Sequence, residues 1–205
     1  VSVAIALSRI SYSLSEFDSN RAIGSARESL RMFDEMIAAG KKPYLVSANH
    51  ATSLRRLGQA LLKARRSVES RAYAEQAVTE LRTLTANSAV GASDRMELVQ
   101  GLISAAEAHS ASGNPDRAEG LLQEARAMGQ AIAKRAALAN VVPLAHVEAA
   151  LGGFYIRHHR TDEARASFER LVQLWRRFPE PNQYADRQRN GRASAVSLGS
   201  LTGRT

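Results

Sequence analysis

The chain has 205 residues, no cysteine, 44% hydrophobic and 23% charged residues, and a formal net charge of +8. That balance belongs to a globular chain and not to a disordered one, and the missing thiols exclude disulfides and any thiolate-held zinc or iron–sulfur centre. The basic excess is local: residues 41–88 carry 9 Lys and Arg against 3 Asp and Glu, and the last thirty carry 6 against 2. This predicts basic patches and not a uniformly cationic surface.

Helical periodicity covers most of residues 2–178, in a composition dominated by Ala, Leu, Arg and Glu, all good helix formers. Taken in chain order, the pattern predicts helices over 2–17 and 20–39, then 43–65 and 68–87, then 93–112 and 115–139, then 142–159 and 162–178. Gly40-Lys41-Lys42-Pro43 closes one helix and opens another, and Gly113-Asn114-Pro115 does the same, with Asn114 as cap and Pro115 in the first turn. Thr161 is a further expected cap, and Val142-Pro143 is expected to begin the last unit. The segment 136–156 is mildly apolar, but Asn140, Pro143, His146 and Glu148 interrupt it, so it reads as a buried helix pair and not as a membrane span. After Pro179 the pattern stops. Residues 179–205 read as a basic, Ser/Gly-rich tail, mostly disordered, with a short helix near 183–193. The chain begins Val-Ser-Val without Met and is expected to be a piece of something longer or a processed product. The cytoplasm is the favoured compartment, and an extracytoplasmic one is expected only if a membrane helix precedes it.

The helix pairs repeat. Leu54-x2-Leu57-Gly58-x2-Leu61 recurs as Leu151-Gly152-x2-Tyr155, and more loosely as Leu102-x2-Ala105-Ala106-x2-His109 and Leu7-x2-Ile10-Ser11-x2-Leu14. In the second helices, Ala26, Ala74, Ala118 and Ala164 anchor a similar motif at separations of 48, 44 and 46 residues. Small residues at these positions let paired helices approach closely. The longer spacing from Gly58 to Ala74 predicts a hairpin about one turn longer in the first two units. The expected fold is all-α: a right-handed solenoid of four antiparallel helix pairs, with units at about 1–40, 41–90, 91–140 and 141–178.

These motifs resemble tetratricopeptide repeats, and the long period resembles the C-terminal regions of bacterial serine/threonine protein kinases of the eukaryotic type. The resemblance implies a superhelix whose first helices line a concave groove and bind a peptide or protein partner. No kinase motif is present: the glycine-rich loop, the catalytic loop and Asp-Phe-Gly are all missing.

No motif of nucleophilic, metal or dinucleotide chemistry occurs, so no enzymatic activity, metal or cofactor is expected of these residues. The groove positions expected from the repeat phase are Arg55, Gln59, Leu62 and Lys63 in the second unit, Ile103 and Glu107 in the third, and Ile156 and Arg157 in the fourth. Arg55, Gln59 and Lys63 follow i, i+4, i+8 and form one ridge. An acidic or phosphorylated peptide is the expected ligand, since Arg donates paired hydrogen bonds to carboxylate and phosphate. The rival expectation is a binder of nucleic acid or another polyanion through Arg55, Arg56, Lys63, Arg65, Arg66 and Arg71.

Overall fold

A computed structural model describes residues 1–41, 44–86, 91–134 and 138–176. These residues form eight helices and no strand: α1 Ser2–Leu14, α2 Ser19–Ala38, α3 Tyr44–Lys63, α4 Ser67–Thr85, α5 Ala92–Ala111, α6 Pro115–Ala133, α7 Leu138–Arg157 and α8 Thr161–Arg176. The expected tail and its short helix lie outside the described residues. Among the described residues no helix is long and apolar enough to cross a membrane.

Each helix forms because its apolar residues return on one face. In α2 the buried residues are Ala22, Ile23, Ala26, Ser29, Leu30 and Phe33, a spacing of three and four that matches the helical period. Asp18 starts α2 by accepting a 3.0 Å hydrogen bond from the Arg21 amide, a cap not foreseen in the sequence, where the helix was expected to begin at 20 and not at Ser19. Asn114 occupies the cap position of α6 with Pro115 in the first turn. Its side chain turns back to the Ser112 carbonyl and hydroxyl instead of capping. Thr161 is the first residue of α8 and not its cap. The start of α7 also differs from expectation. Pro143 lies inside that helix as its sixth residue, past the four leading amides that lack an intrahelical acceptor, so the helix runs through it with one i→i−4 hydrogen bond missing.

Consecutive helices pack in order from α1 to α8, and α1 also meets α3, α3 meets α5, and α5 meets α7. The second helices of the units make no such close backbone approach to one another. Long side chains span that gap instead, in the ion pairs Arg27–Glu69 at 3.8 Å, Arg82–Glu124 at 2.6 Å and Arg160–Glu119 at 2.6 Å. A stack in which one set of helices touches and the other splays is curved. The first helices therefore line the inside of an all-α solenoid. Its core runs lengthwise through Phe33, Leu57, Leu61, Leu81, Leu102, Leu151 and Phe154, all fully or almost fully buried. Each contributes about 1.5–3 kcal/mol of burial.

The second helices correct the sequence register. In units two to four the paired helices are joined by three residues, 64–66, 112–114 and 158–160. Aligned on these turns, the counterparts are Ala22, Ser70, Ala118 and Ala164, all buried. The expected anchors Ala26 and Ala74 sit one turn later, and the hairpin is not longer in the early units. Small residues at both turns of the same face, Ala22 with Ala26 and Ser70 with Ala74, made the two phases indistinguishable in sequence. The corrected phase explains the contacts of the glycines. A Cβ on Gly58 would lie 3.3 Å from the Ser70 carbonyl and 3.6 Å from the Ala74 Cβ, and one on Gly152 would strike the Phe168 ring at 2.6 Å. Phe168 is the counterpart of Ala74. Gly101 against Leu81 and Gly129 against Leu144 play the same part between units; sequence reading had not singled these two out.

The turns share one device. Arg65, Gly113 and His159 are register counterparts, and all have positive φ, at 62°, 82° and 58°. The following amide returns to the preceding helix in each case, as in Arg66 N–H to the Leu61 carbonyl at 2.9 Å. Only the third unit places glycine where this left-handed conformation is free of side-chain strain.

Candidate functional site

The concave face carries the expected groove residues on α3, α5 and α7, but their side chains are not equally available. Arg55 is buried at 7% exposure. Its Nε donates to Glu97 Oε1 at 2.8 Å, and its Nη1 donates to Gln59 Oε1 at 3.0 Å. Gln59 in turn donates to the Ser104 hydroxyl at 3.1 Å. Arg55 and Gln59 thus form a polar strap between α3 and α5, and a ligand carboxylate would have to displace Glu97. Ile103 is core, at 8% exposure, because its position on α5 faces the packed side.

Leu62, Lys63 and Glu107 do come together. With Tyr12, Ser15, Glu16 and Gln59 they line a hollow of about 230 Å³ between α1, α3 and α5. The Lys63 ammonium is half-exposed and lies 2.8 Å from Glu16 Oε1. Glu107 has no ion pair or hydrogen bond within the described residues. Glu107 is exposed at the groove surface, yet partial desolvation by the atoms crowded around it raises its carboxyl above the ordinary range, against the opposing pull of Arg157 and Lys63. Arg157 and Ile156 are exposed on α7, and Arg157 also makes no ion pair among the described residues. The groove therefore presents mixed charge, with Lys63 and Arg157 set around Glu107, in place of the basic ridge expected from composition.

The basic residues of the second unit are largely spoken for. Arg66 pairs with Glu69 at 2.7 Å and Arg82 with Glu124 at 2.6 Å. Arg56 donates to the Ser8 hydroxyl at 2.9 Å and lies over the Tyr12 ring, 5.8 Å from its centroid. Burial, aided by the like charge of Arg55, depresses its pKa.

Two polar clusters escaped sequence reading. His50 is buried between Glu80, 2.7 Å from Nδ1, and Asp34, 3.1 Å from Nε2, so it ties α2, α3 and α4 together. Glu148, at 2% exposure, lies 2.9 Å from Arg126 Nε and 2.9 Å from Arg170 Nε, joining α6, α7 and α8. The only sequence signal for either was a polar residue at a core position: Glu148 is the counterpart of Leu54 and Leu102. His109, the counterpart of Leu61 and Tyr155 in the repeat motif, is buried in the core, with Nε2 2.9 Å from Glu75 Oε1. His158 stacks near Phe154 and lies 3.2 Å from the Ser110 hydroxyl. Among the described residues no group of three His, Asp or Glu is placed to hold a metal ion.

No family model matches the chain, and no characterised protein matches it at a significant level.

Proposed function

We propose that this protein is a non-catalytic interaction scaffold that binds a peptide or protein segment along its concave face. The observation that carries the reading is a pair of charges on that face that make no ion pair among the described residues: Glu107, its carboxyl raised by crowding, and the exposed Arg157 beside it. Charges left unpaired in a groove are groups a ligand can satisfy, and a ligand that does so gains charge-assisted hydrogen bonds. Arg157 would take an acidic or phosphorylated side chain, Lys63 would join it only by exchanging its half-exposed pair with Glu16, Glu107 would take a basic side chain, and Leu62 with Ile156 supplies apolar contact beside them. The likeness in repeat length to the regions that follow bacterial kinase domains supports placing such a module beside a kinase. Polyanion binding draws less support, because Arg55, Lys63 and Arg66 of its six basic residues are ion-paired.

The test is selection of peptides from a displayed random library against the parent chain, followed by affinity measurements. Lys63→Glu/Arg157→Glu should weaken the selected peptides at least tenfold, about 1.4 kcal/mol, with helicity unchanged. Arg165→Glu, on the exposed face of α8, should leave them unaffected. Peptides that bind the groove variant and the parent equally would refute the assignment of the groove.

A further inference from the structure

The three internal junctions of the solenoid are built alike. In each, the second helix of one unit seats on the first helix of the next. Leu81 and Val78 of α4 close on Gly101 of α5, and Gly129 of α6 closes on Leu144 of α7. Leu30 of α2 and Leu54 of α3 share one cluster at the first junction. At the third, the counterparts of those two residues are Arg126 and Glu148, which form an ion pair.

The two ends of the stack display the unmatched halves of the same junction. At one end, Ser11 is the counterpart of Gly58, so Val3, Ala6, Leu7 and Ile10 of α1 correspond to His50, Ser53, Leu54 and Leu57. Those four α3 residues are at most 6% exposed, whereas Val3 is 61% and Ile10 47% exposed. At the other end, Val172 and Trp175 of α8 correspond to Leu30 and Phe33, to Val78 and Leu81, and to Arg126 and Gly129. Leu30, Phe33, Val78 and Leu81 are at most 6% exposed, whereas Val172 is 48% and Trp175 42% exposed. Among the described residues α1 and α8 are the outermost helices, and both are apolar at the very positions that are covered inside.

We propose that the chain stacks head to tail, with α8 of one copy seated on α1 of a second copy in the register of the internal junctions. That register sets Trp175 over Val3 and Ala6, as Gly129 meets Leu144 and Leu81 meets Gly101. It sets Val172 against Leu7, as Leu30 meets Leu54. Sizes complement: the large Trp175 faces small residues, where inside the stack a glycine faces a leucine. Polarity complements as well. The positions that carry Arg126 and Glu148 at the third junction are Val172 and Leu7 at the open ends, so neither of those two positions would bury a charge. Such a contact uses different surfaces on the two copies, and does not close on itself unless the geometry makes a ring. The groove plays no part in it, so this proposal stands or falls apart from the one above.

The experiment is sedimentation velocity and light scattering of the 205-residue chain at concentrations up to about 1 mM, where weak associations become populated. The parent, Ala6→Glu and Trp175→Glu are run singly, and the two variants are also run as an equimolar mixture. All substitutions fall at exposed positions, and circular dichroism verifies the fold. The expected result is a parent whose average mass climbs with concentration past that of a dimer. Each variant alone should be monomeric, and the mixture should stop at a dimer, because one intact end remains on each partner. A parent that stays monomeric overturns the proposal. So does a variant that still dimerises alone, which would mean pairing of like faces, and so does a mixture that remains monomeric.

Discussion

Replacing Glu148 with Gln tests whether the polar clasp between the last two units holds them together. The carboxylate is 2% exposed and faces two guanidiniums, each 2.9 Å away. Removing one member of a buried ionic cluster generally costs about 3–5 kcal/mol, because the remaining charge is left uncompensated. The Arg126 and Arg170 side chains are 24% and 35% exposed, so both can turn toward water, and Arg170 keeps its hydrogen bond to the Ser167 hydroxyl. We therefore expect a loss of about 2–4 kcal/mol, which for a chain of this size is roughly 5–15 °C in Tm. The repeats provide an internal control. The counterparts of Glu148 and Arg126 are Leu102 and Val78 one junction earlier, both buried in one cluster. Glu148→Leu/Arg126→Val should rebuild that apolar contact and recover stability to within about 1 kcal/mol of the parent, or exceed it. The assay is equilibrium urea denaturation followed by circular dichroism. A Glu148→Gln protein within about 0.5 kcal/mol of the parent, or a double variant no better than the single one, would refute the reasoning.

Three further outcomes follow from the geometry. A Cβ on Gly129 would lie 3.1 Å from the Leu144 Cα, whereas one on Gly120 would meet nothing within 4 Å. Gly129→Ala should thus cost about 1–3 kcal/mol by overpacking, and Gly120→Ala on the same helix should gain about 0.5–1 kcal/mol; chemical denaturation of the two should shift in opposite directions. Arg65→Gly and His159→Gly, both in the left-handed turn that Gly113 already occupies, should each raise stability by about 1 kcal/mol; an unchanged or lower Tm would count against that turn. Stability should also depend on pH from both sides. Burial alone would push the His50 imidazole down, but Glu80 and Asp34 hold it above its ordinary value. Its contribution is fully present below about pH 6.5 and is lost as pH rises through the folded value. Burial holds His109 below its ordinary value in spite of Glu75, so its contribution is present above about pH 6.5 and is lost as pH falls. His50→Asn should flatten the alkaline side of the stability profile and His109→Leu the acid side, measured by urea denaturation at a series of pH values.

Eight helices, their pairing and the order of the stack were all legible in the amino-acid sequence. Those features follow from short-range causes: apolar residues at helical spacing, glycine and proline at turns, and a motif returning every 44–48 residues. The phase of the second helices was decided only by packing. Ala22 and Ala26, or Ser70 and Ala74, lie four apart on one face, and periodicity cannot choose between adjacent turns. The fate of the charges was decided the same way. Arg55 and Glu97 are 42 residues apart, as are Arg82 and Glu124, so counting charge along residues 41–88 could not foresee that carboxylates from other units would neutralise much of the excess. Glu107 and Arg157 lie within electrostatic reach of one another, but that neither makes an ion pair among the described residues, while Arg55 and Lys63 do, depends on which side chains the curvature brings together. Exposure of the end faces is likewise a tertiary fact. Ile10 and Leu57 occupy the same motif position, and only whether another described helix packs against that face makes one a surface residue and the other core.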